Sequence, residues 1–200
     1  VTSMRKIVLF AEDFAHEVLL KTLIRRLADL QHISIGRLDI RSARGGHGRV
    51  LSELDQYLRE VHRGRQNVPD LLIVGTDSNC KGLLKRRQEV EEVIEKYQLP
   101  VVCAIPDPHI ERWLLLDSAA FKAVLGKGCD APDQKCERNR YKHLLINAIR
   151  NAGVTPLFGG IEHAEDIANQ MNLPRLEKSD ESFGKFLKAL RDKFNEWKQN

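Results

Sequence analysis

The sequence predicts an α/β fold: a four-stranded parallel sheet with crossover helices, followed by a C-terminal helical extension. Three observations lead there. Short apolar runs at residues 6–11, 32–40, 70–76 and 101–105 alternate with stretches whose apolar side chains recur at spacings of three and four, the pattern of repeated βαβ units. Acidic groups follow two of those runs, Glu12 and Asp13 after the first, Asp77 and Asn79 after the third. Beyond Pro108 the periodicity is helical throughout. The 200 residues divide on this reading into an α/β domain at 1–125 and a helical extension at 126–200 packed on it.

The first strand, ending Ile7-Val8-Leu9-Phe10-Ala11, is followed by Phe14, Val18, Leu19, Thr22, Leu23, Arg26 and Leu27 on one helix face. In the second run Ile33, Ile35, Leu38 and Ile40 alternate imperfectly. The chain then breaks at Gly45-Gly46-His47-Gly48 and resumes as a helix carrying Val50, Leu51, Leu54, Leu58 and Val61. The third run is almost wholly apolar, as a strand covered on both faces should be. Leu83, Leu84, Val90, Val93 and Ile94 continue as a helix ending near Tyr97. Pro100 opens the fourth strand, and Pro106 and Pro108 stop it. Right-handed crossovers are expected throughout. With the two acid-bearing strands as neighbours, the order is 2-1-3-4 and the winding reverses between strands one and three. Helices are then predicted at 110–116, 119–125, 141–152 and 161–171. A last amphipathic stretch carries Phe183, Phe186, Leu187, Leu190, Phe194 and Trp197, a stripe expected to pack on the chain's own core. The polar segment between Leu125 and Tyr141 offers few core residues and is expected to be disordered or substrate-responsive.

Composition narrows the classes. Apolar residues make up 42% and charged residues 30%, which suits a globular domain and not a disordered or membrane-embedded chain. No apolar run approaches the roughly 20 residues a bilayer demands, and the start does not read as a secretory signal, so a cytoplasmic location is expected. Cys80, Cys103, Cys129 and Cys136 are scattered without a CxxC pair, which argues against zinc and for reduced thiols, with Cys129 and Cys136 as the alternative bridge or metal pair. There is no Walker-type phosphate loop, no G-x-S-x-G elbow and no credible cysteine nucleophile.

Ligands of open parallel sheets collect outside the carboxyl ends of the strands at the switch point, so Glu12 and Asp77 can converge although far apart in sequence. Converging carboxylates bind hard cations. The simpler alternative is that each acid caps a helix. Net charge is only +4, but Arg37, Arg41, Arg44 and Arg49 flank the glycine loop and Lys81, Lys85, Arg86 and Arg87 follow Asp77. Arg44, Arg49, Lys81, Lys85 and Arg86 are thus the candidate contacts to a polyphosphate substrate, solvated helix faces being the alternative. His16, His47 and His109 are candidates for proton transfer, because imidazole titrates near neutrality. The glycine loop either cradles a phosphate or is a plain turn.

Val8-Leu9-Phe10-Ala11-Glu12 together with Val74-Gly75-Thr76-Asp77-Ser78-Asn79-Cys80-Lys81-Gly82 resembles the toprim module shared by topoisomerases, primases and certain nucleases. The resemblance implies a Rossmann-like fold and a bound Mg2+ or Mn2+. It makes Glu12 the general acid or base and Asp77 a metal ligand. Asn79 departs from it, standing where the module has a second aspartate and removing one formal charge. The run Asp107-Pro108-His109-Ile110-Glu111-Arg112-Trp113-Leu114-Leu115-Leu116-Asp117 is similar to the E-x-W-L-L-x-D signature of small stand-alone toprim-like proteins related to OLD nucleases, which are encoded beside ATPases in bacterial defence cassettes. The likeness covers about residues 5–125 and implies an ATPase partner protein. Asp107 and Glu111, four apart, would share the face of a helix starting near Pro108. The expected ligand set is Glu12, Asp77, Asn79, Asp107 and Glu111, with Glu12, Asp77 and Glu111 catalytic, around one cation or two about 4 Å apart. Pairing with Arg112 is the structural alternative for Glu111.

Three functions follow in order of preference. The first is a metal-dependent nuclease, the effector of an ATPase-associated antiviral defence complex. The second is a degenerate module that binds or scaffolds without catalysis; a homo-oligomer is compatible with either. The third, a phosphoacceptor receiver domain, needs a fifth strand and a following lysine that the helical C-terminal half does not supply.

Overall fold

The computed structural model describes residues 4–199; the three residues ahead of Met4 and the final Asn200 lie outside them. Four strands, β1 (Arg5–Ala11), β2 (Ile35–Ser42), β3 (Leu71–Gly75) and β4 (Val101–Ala104), form one parallel sheet in the order β2-β1-β3-β4. Helices α1 (Phe14–Leu30), α2 (Gly46–His62) and α3 (Leu83–Ile94) make the crossovers. Every strand of the predicted order is therefore in its predicted place, and the ends of β1 and β3 are adjacent: Ala11 pairs with Gly75.

Alternation along the strands divides the core in two. Ile7, Leu9, Leu71 and Ile73 face α1 and the C-terminal helices, whereas Val8, Phe10, Leu72 and Val74 face α2 and α3. The central strands β1 and β3 are buried on both sides, which is why their sequences are continuous apolar runs. β2 is an edge strand, only half-buried, and begins later than its apolar residues suggest: His32 takes a left-handed φ of 55° and Ile33 N–H still bonds Ala28 of α1.

After β4 come α4 (Ile110–Leu114), α5 (Ser118–Leu125), α6 (Arg140–Asn151), α7 (Ala164–Gln170), α8 (Leu173–Ser179) and α9 (Glu181–Gln199). They belong to the same core as the sheet's α1 face, with Phe183, Phe186, Leu187, Leu190 and Phe194 of α9 fully buried. Trp113 joins the two halves. It stacks on Phe186 and meets Phe183 edge-on, and its indole N–H donates to Ser182 Oγ at 2.8 Å. The segment expected to be loose is instead pinned: Tyr141 Oη accepts from Lys135 N–H at 2.8 Å, and Arg112 donates to the Asp133 carbonyl at 2.9 Å. No described helix is long and apolar enough to cross a membrane.

Candidate metal centre

Glu12 extends β1 by one residue, its N–H donating to the Gly75 carbonyl at 3.0 Å. From there its side chain crosses to the end of β3, where Oε2 accepts the Thr76 hydroxyl at 2.6 Å and the Asp77 N–H at 3.0 Å. Its second oxygen, Oε1, faces Gly46 at the start of α2, where an added Cβ would lie 3.9 Å away. Two acidic motifs 65 residues apart in sequence thus meet at the switch point.

Asp13 caps α1. Its Oδ1 accepts from His16 N–H at 3.0 Å and lies 2.8 Å from His16 Nδ1. The other ring nitrogen of His16, which is fully buried, stands 3.1 Å from Asp77 Oδ1. That contact is an ion pair, and neither atom has a further polar partner among the described residues. α1 comes this close because β3 ends in glycine, for a Cβ on Gly75 would sit 2.2 Å from Leu20 Cδ1 and 3.7 Å from His16 Cδ2.

The electrostatics reflect crowded acids. Burial pushes the Asp77 carboxyl up to about 6; neighbouring Glu12 and Glu111 add to the rise and His16 opposes it. Glu111 is raised as well, by burial first and by Asp13. Burial disfavours the His16 imidazolium, but Asp77 and Asp13 outweigh it and raise the group well above its ordinary value. Asp13 goes the other way: burial is overcome by its hydrogen bonds to His16, and its carboxyl is lowered.

The remaining predicted residues are placed as follows. Asn79 is exposed in a left-handed turn and its N–H donates to the Pro108 carbonyl at 3.2 Å. Asp107 does not share a helix face with Glu111, because α4 starts only at Ile110. Both its oxygens are taken, Oδ1 by the Ser78 hydroxyl at 2.6 Å and Oδ2 by the Gln134 amide at 3.0 Å. Glu111 is free of Arg112, whose guanidinium is buried against Asp180. Asp117, the last residue of the E-x-W-L-L-x-D run, caps α5 and accepts Asn172 N–H at 2.8 Å while pairing with Arg175. That run therefore anchors the extension, and only Glu111 feels the acidic cluster.

His47 lies 2.9 Å from Thr76 Oγ1 and 2.8 Å from Glu89 Oε2. The single hydroxyl proton of Thr76 goes to Glu12, so His47 Nδ1–H is the donor to Thr76. Burial and Arg86 hold the His47 imidazole below its usual value. Glu89, against the effect of burial, is held down to about 2 by Arg86 and Lys81. Of the five proposed nucleic-acid contacts, Arg49 pairs with Glu53, Lys81 and Arg86 with Glu89, and Arg86 is buried; Arg44 and Lys85 are exposed without an ion-pair partner among the described residues. His109 packs beside Tyr141, ring centroids 6.1 Å apart. Thr76 and Glu89 are participants the sequence does not mark, and Asp13, read there as an acid of the first motif, serves as the partner of His16. The Asp13-x-x-His16 spacing, that of a cap and its third helical residue, is a sequence signal for Asp13, whereas no local pattern marks Thr76 or Glu89.

The expectation of reduced thiols, with Cys129 and Cys136 as the alternative pair, is corrected. Cys80 and Cys136 form a disulfide, Cα atoms 5.6 Å apart, while Cys103 and Cys129 are free.

Among the described residues no three His, Cys, Asp or Glu side chains stand as a ready-made metal-binding group. The donors at hand are Oε1 of Glu12, which faces Gly46, the carboxylate of Asp77, one oxygen of which His16 already approaches, and the carboxylate of Glu111, hard anionic oxygens of the type that holds Mg2+. No curated protein and no solved structure matches the chain. A family model described as a domain of unknown function, DUF4276, matches residues 11–191. The chain belongs to that family.

Proposed function

We propose that this protein is a divalent-cation-dependent phosphodiesterase acting on DNA or RNA, the catalytic subunit of an assembly with an ATPase partner. The observation that carries the reading is the meeting of the two acidic motifs at the switch point, where the Glu12 carboxylate accepts the Asp77 N–H and the buried Asp77 side chain has His16 as its one ion-pair partner within 4 Å among the described residues. Burial pushes the Asp77 carboxyl up to about 6, with Glu12 and Glu111 adding to the rise and His16 opposing it, a perturbation of the kind found at functional sites. The sequence resemblance to the toprim module supports the reading independently.

Glu12, Asp77 and Glu111 would hold the ion, Mg2+ or Mn2+, with Asn79 or Asp107 entering only by rearrangement of their loops. When bound, the ion supplies charge neutralisation at the phosphate and a more acidic water. Glu12 is oriented for proton transfer by Thr76 and by the Asp77 N–H. His16, held by Asp13, fixes the direction of Asp77 and keeps a positive charge behind it. Arg44 and Lys85 are the cations at the rim available for phosphates.

Glu12→Ala and Asp77→Ala should each abolish magnesium-dependent cleavage by the assembled complex while leaving the fold intact by circular dichroism. Unchanged cleavage in both variants ends the proposal. The second reading, a module that binds or scaffolds without cutting, is favoured by Asn79 in place of an acid and by an Asp107 already engaged by Ser78 and Gln134.

A further inference from the structure

The Cys80–Cys136 bridge sits where it can act on the site. Cys80 adjoins Asn79 in the turn after β3, and Cys136 lies two residues past Gln134, whose amide occupies Asp107 Oδ2. Both cysteines are in exposed positions, open to small reagents. The two free cysteines contrast with them: burial pushes the Cys103 thiol up to about 12 and the Cys129 thiol up to about 11, so both are poor partners in exchange.

The segment bearing Cys136 is otherwise tied at its base. Arg112 and Tyr141 hold Asp133, and Tyr141 also holds Lys135. Past Lys135, Arg140 pairs with the exposed Glu137 at 3.1 Å, and the bridge to Cys80 is the covalent tie between this segment and the turn beside the candidate site. Once the bridge opens, the Gln134 amide on Asp107 is a single exposed hydrogen bond, in competition with water.

We propose that Cys80 and Cys136 form a reversible thiol–disulfide site. Its closure clamps Gln134 onto Asp107, and its opening frees that carboxylate for the candidate cation. The second half of the statement rests on the cation-dependent reading above; the first does not. In closure, one cysteine thiolate attacks a low-molecular-weight disulfide and expels one thiol. The second cysteine thiolate then attacks the mixed disulfide and expels the other. The protein gives up two electrons and two protons, and the small disulfide leaves as two thiols. A dithiol reverses both steps and departs as its own disulfide.

The test uses the full chain treated with glutathione disulfide or with dithiothreitol, followed by alkylation and peptide mass spectrometry, trypsin digestion read on reducing gels, and manganese titration. The oxidised protein should contain the Cys80–Cys136 peptide pair and resist trypsin at Lys135 and Arg138 by about tenfold. Cys136→Ser and Cys80→Ser should match the reduced form under both treatments. Reduction should tighten manganese binding by about tenfold, and Asp107→Asn should remove that gain without changing the digestion. Both thiols alkylating after oxidation, or equal digestion in the two states, overturns the latch. Equal manganese affinity in the two states overturns the control of Asp107. Manganese failing to bind in either state, with the digestion difference intact, keeps the latch and sinks the cation-dependent reading instead.

Discussion

Replacing Gly75 by alanine tests how the site is assembled. The added Cβ would lie 2.2 Å from Leu20 Cδ1, 3.6 Å from the Phe10 carbonyl and 3.7 Å from His16 Cδ2. Leu20 is fully buried and cannot swing into solvent, so α1 must shift or the side chain must leave its rotamer. Overpacking of this kind costs about 1–3 kcal/mol. For a chain of this size each kcal/mol corresponds to about 2–4 °C, which puts the expected fall in Tm at about 2–12 °C. The same shift moves His16 off Asp77, so manganese affinity should fall alongside stability. Gly48→Ala is the control: a Cβ added there meets nothing within 4 Å beyond its chain neighbours and its own helix backbone, and it sits in the first turn of α2, so it should leave Tm unchanged or slightly raised. Differential scanning calorimetry and manganese titration read both quantities. A Gly75→Ala protein that melts and binds manganese like the wild type refutes the reasoning.

Other outcomes follow from the same contacts. Thr76→Val removes the hydroxyl that joins Glu12 to His47 and should cost about 1–3 kcal/mol in urea denaturation, with Thr76→Ser restoring most of it. His16 binds its proton more tightly folded than unfolded, so its stabilisation is complete below pH 6.5 and disappears as pH rises through the raised folded value. His16→Gln should accordingly flatten the decline of stability above pH 6.5, and an unaltered pH profile would count against the ion pair. Asp117→Ala strips α5 of its cap and Asn172 and Arg175 of their acceptor; a loss of about 2 kcal/mol or more is expected with no change in manganese affinity, and a loss of manganese binding would return Asp117 to the site.

How far the sequence could be read depended on how strongly burial constrains each element. β1 and β3 are covered on both faces, so their residues had to be apolar without interruption, and the acids just past them identified the neighbouring pair and with it the strand order. β2, on the edge, is constrained less, and it starts at Ile35, later than the apolar pattern from residue 32 predicts. Glu12 and Asp77 were legible because strand ends are predictable positions. His16 was legible as a candidate, though its full burial between two carboxylates was not. Asp107 and Glu111 were grouped by helical spacing, but the helix begins after both Asp107 and Pro108, and spacing outside a helix carries no facing information. Asp117 and Trp113 look like part of a chemical signature and are the joint between sheet and extension, a role set by side chains some sixty residues away in sequence. The Cys80–Cys136 bridge depends on where a long loop folds back, which no local pattern records.

The most direct measurement is the loss of the free manganese signal by electron paramagnetic resonance on titration with wild-type, Glu12→Ala and Asp77→Ala protein, each checked for folding. The account predicts binding at about millimolar concentration or tighter for the wild type, and a loss of at least about tenfold for either alanine variant. A folded wild type that leaves the manganese signal untouched, or two variants that bind as tightly as the parent, contradicts it.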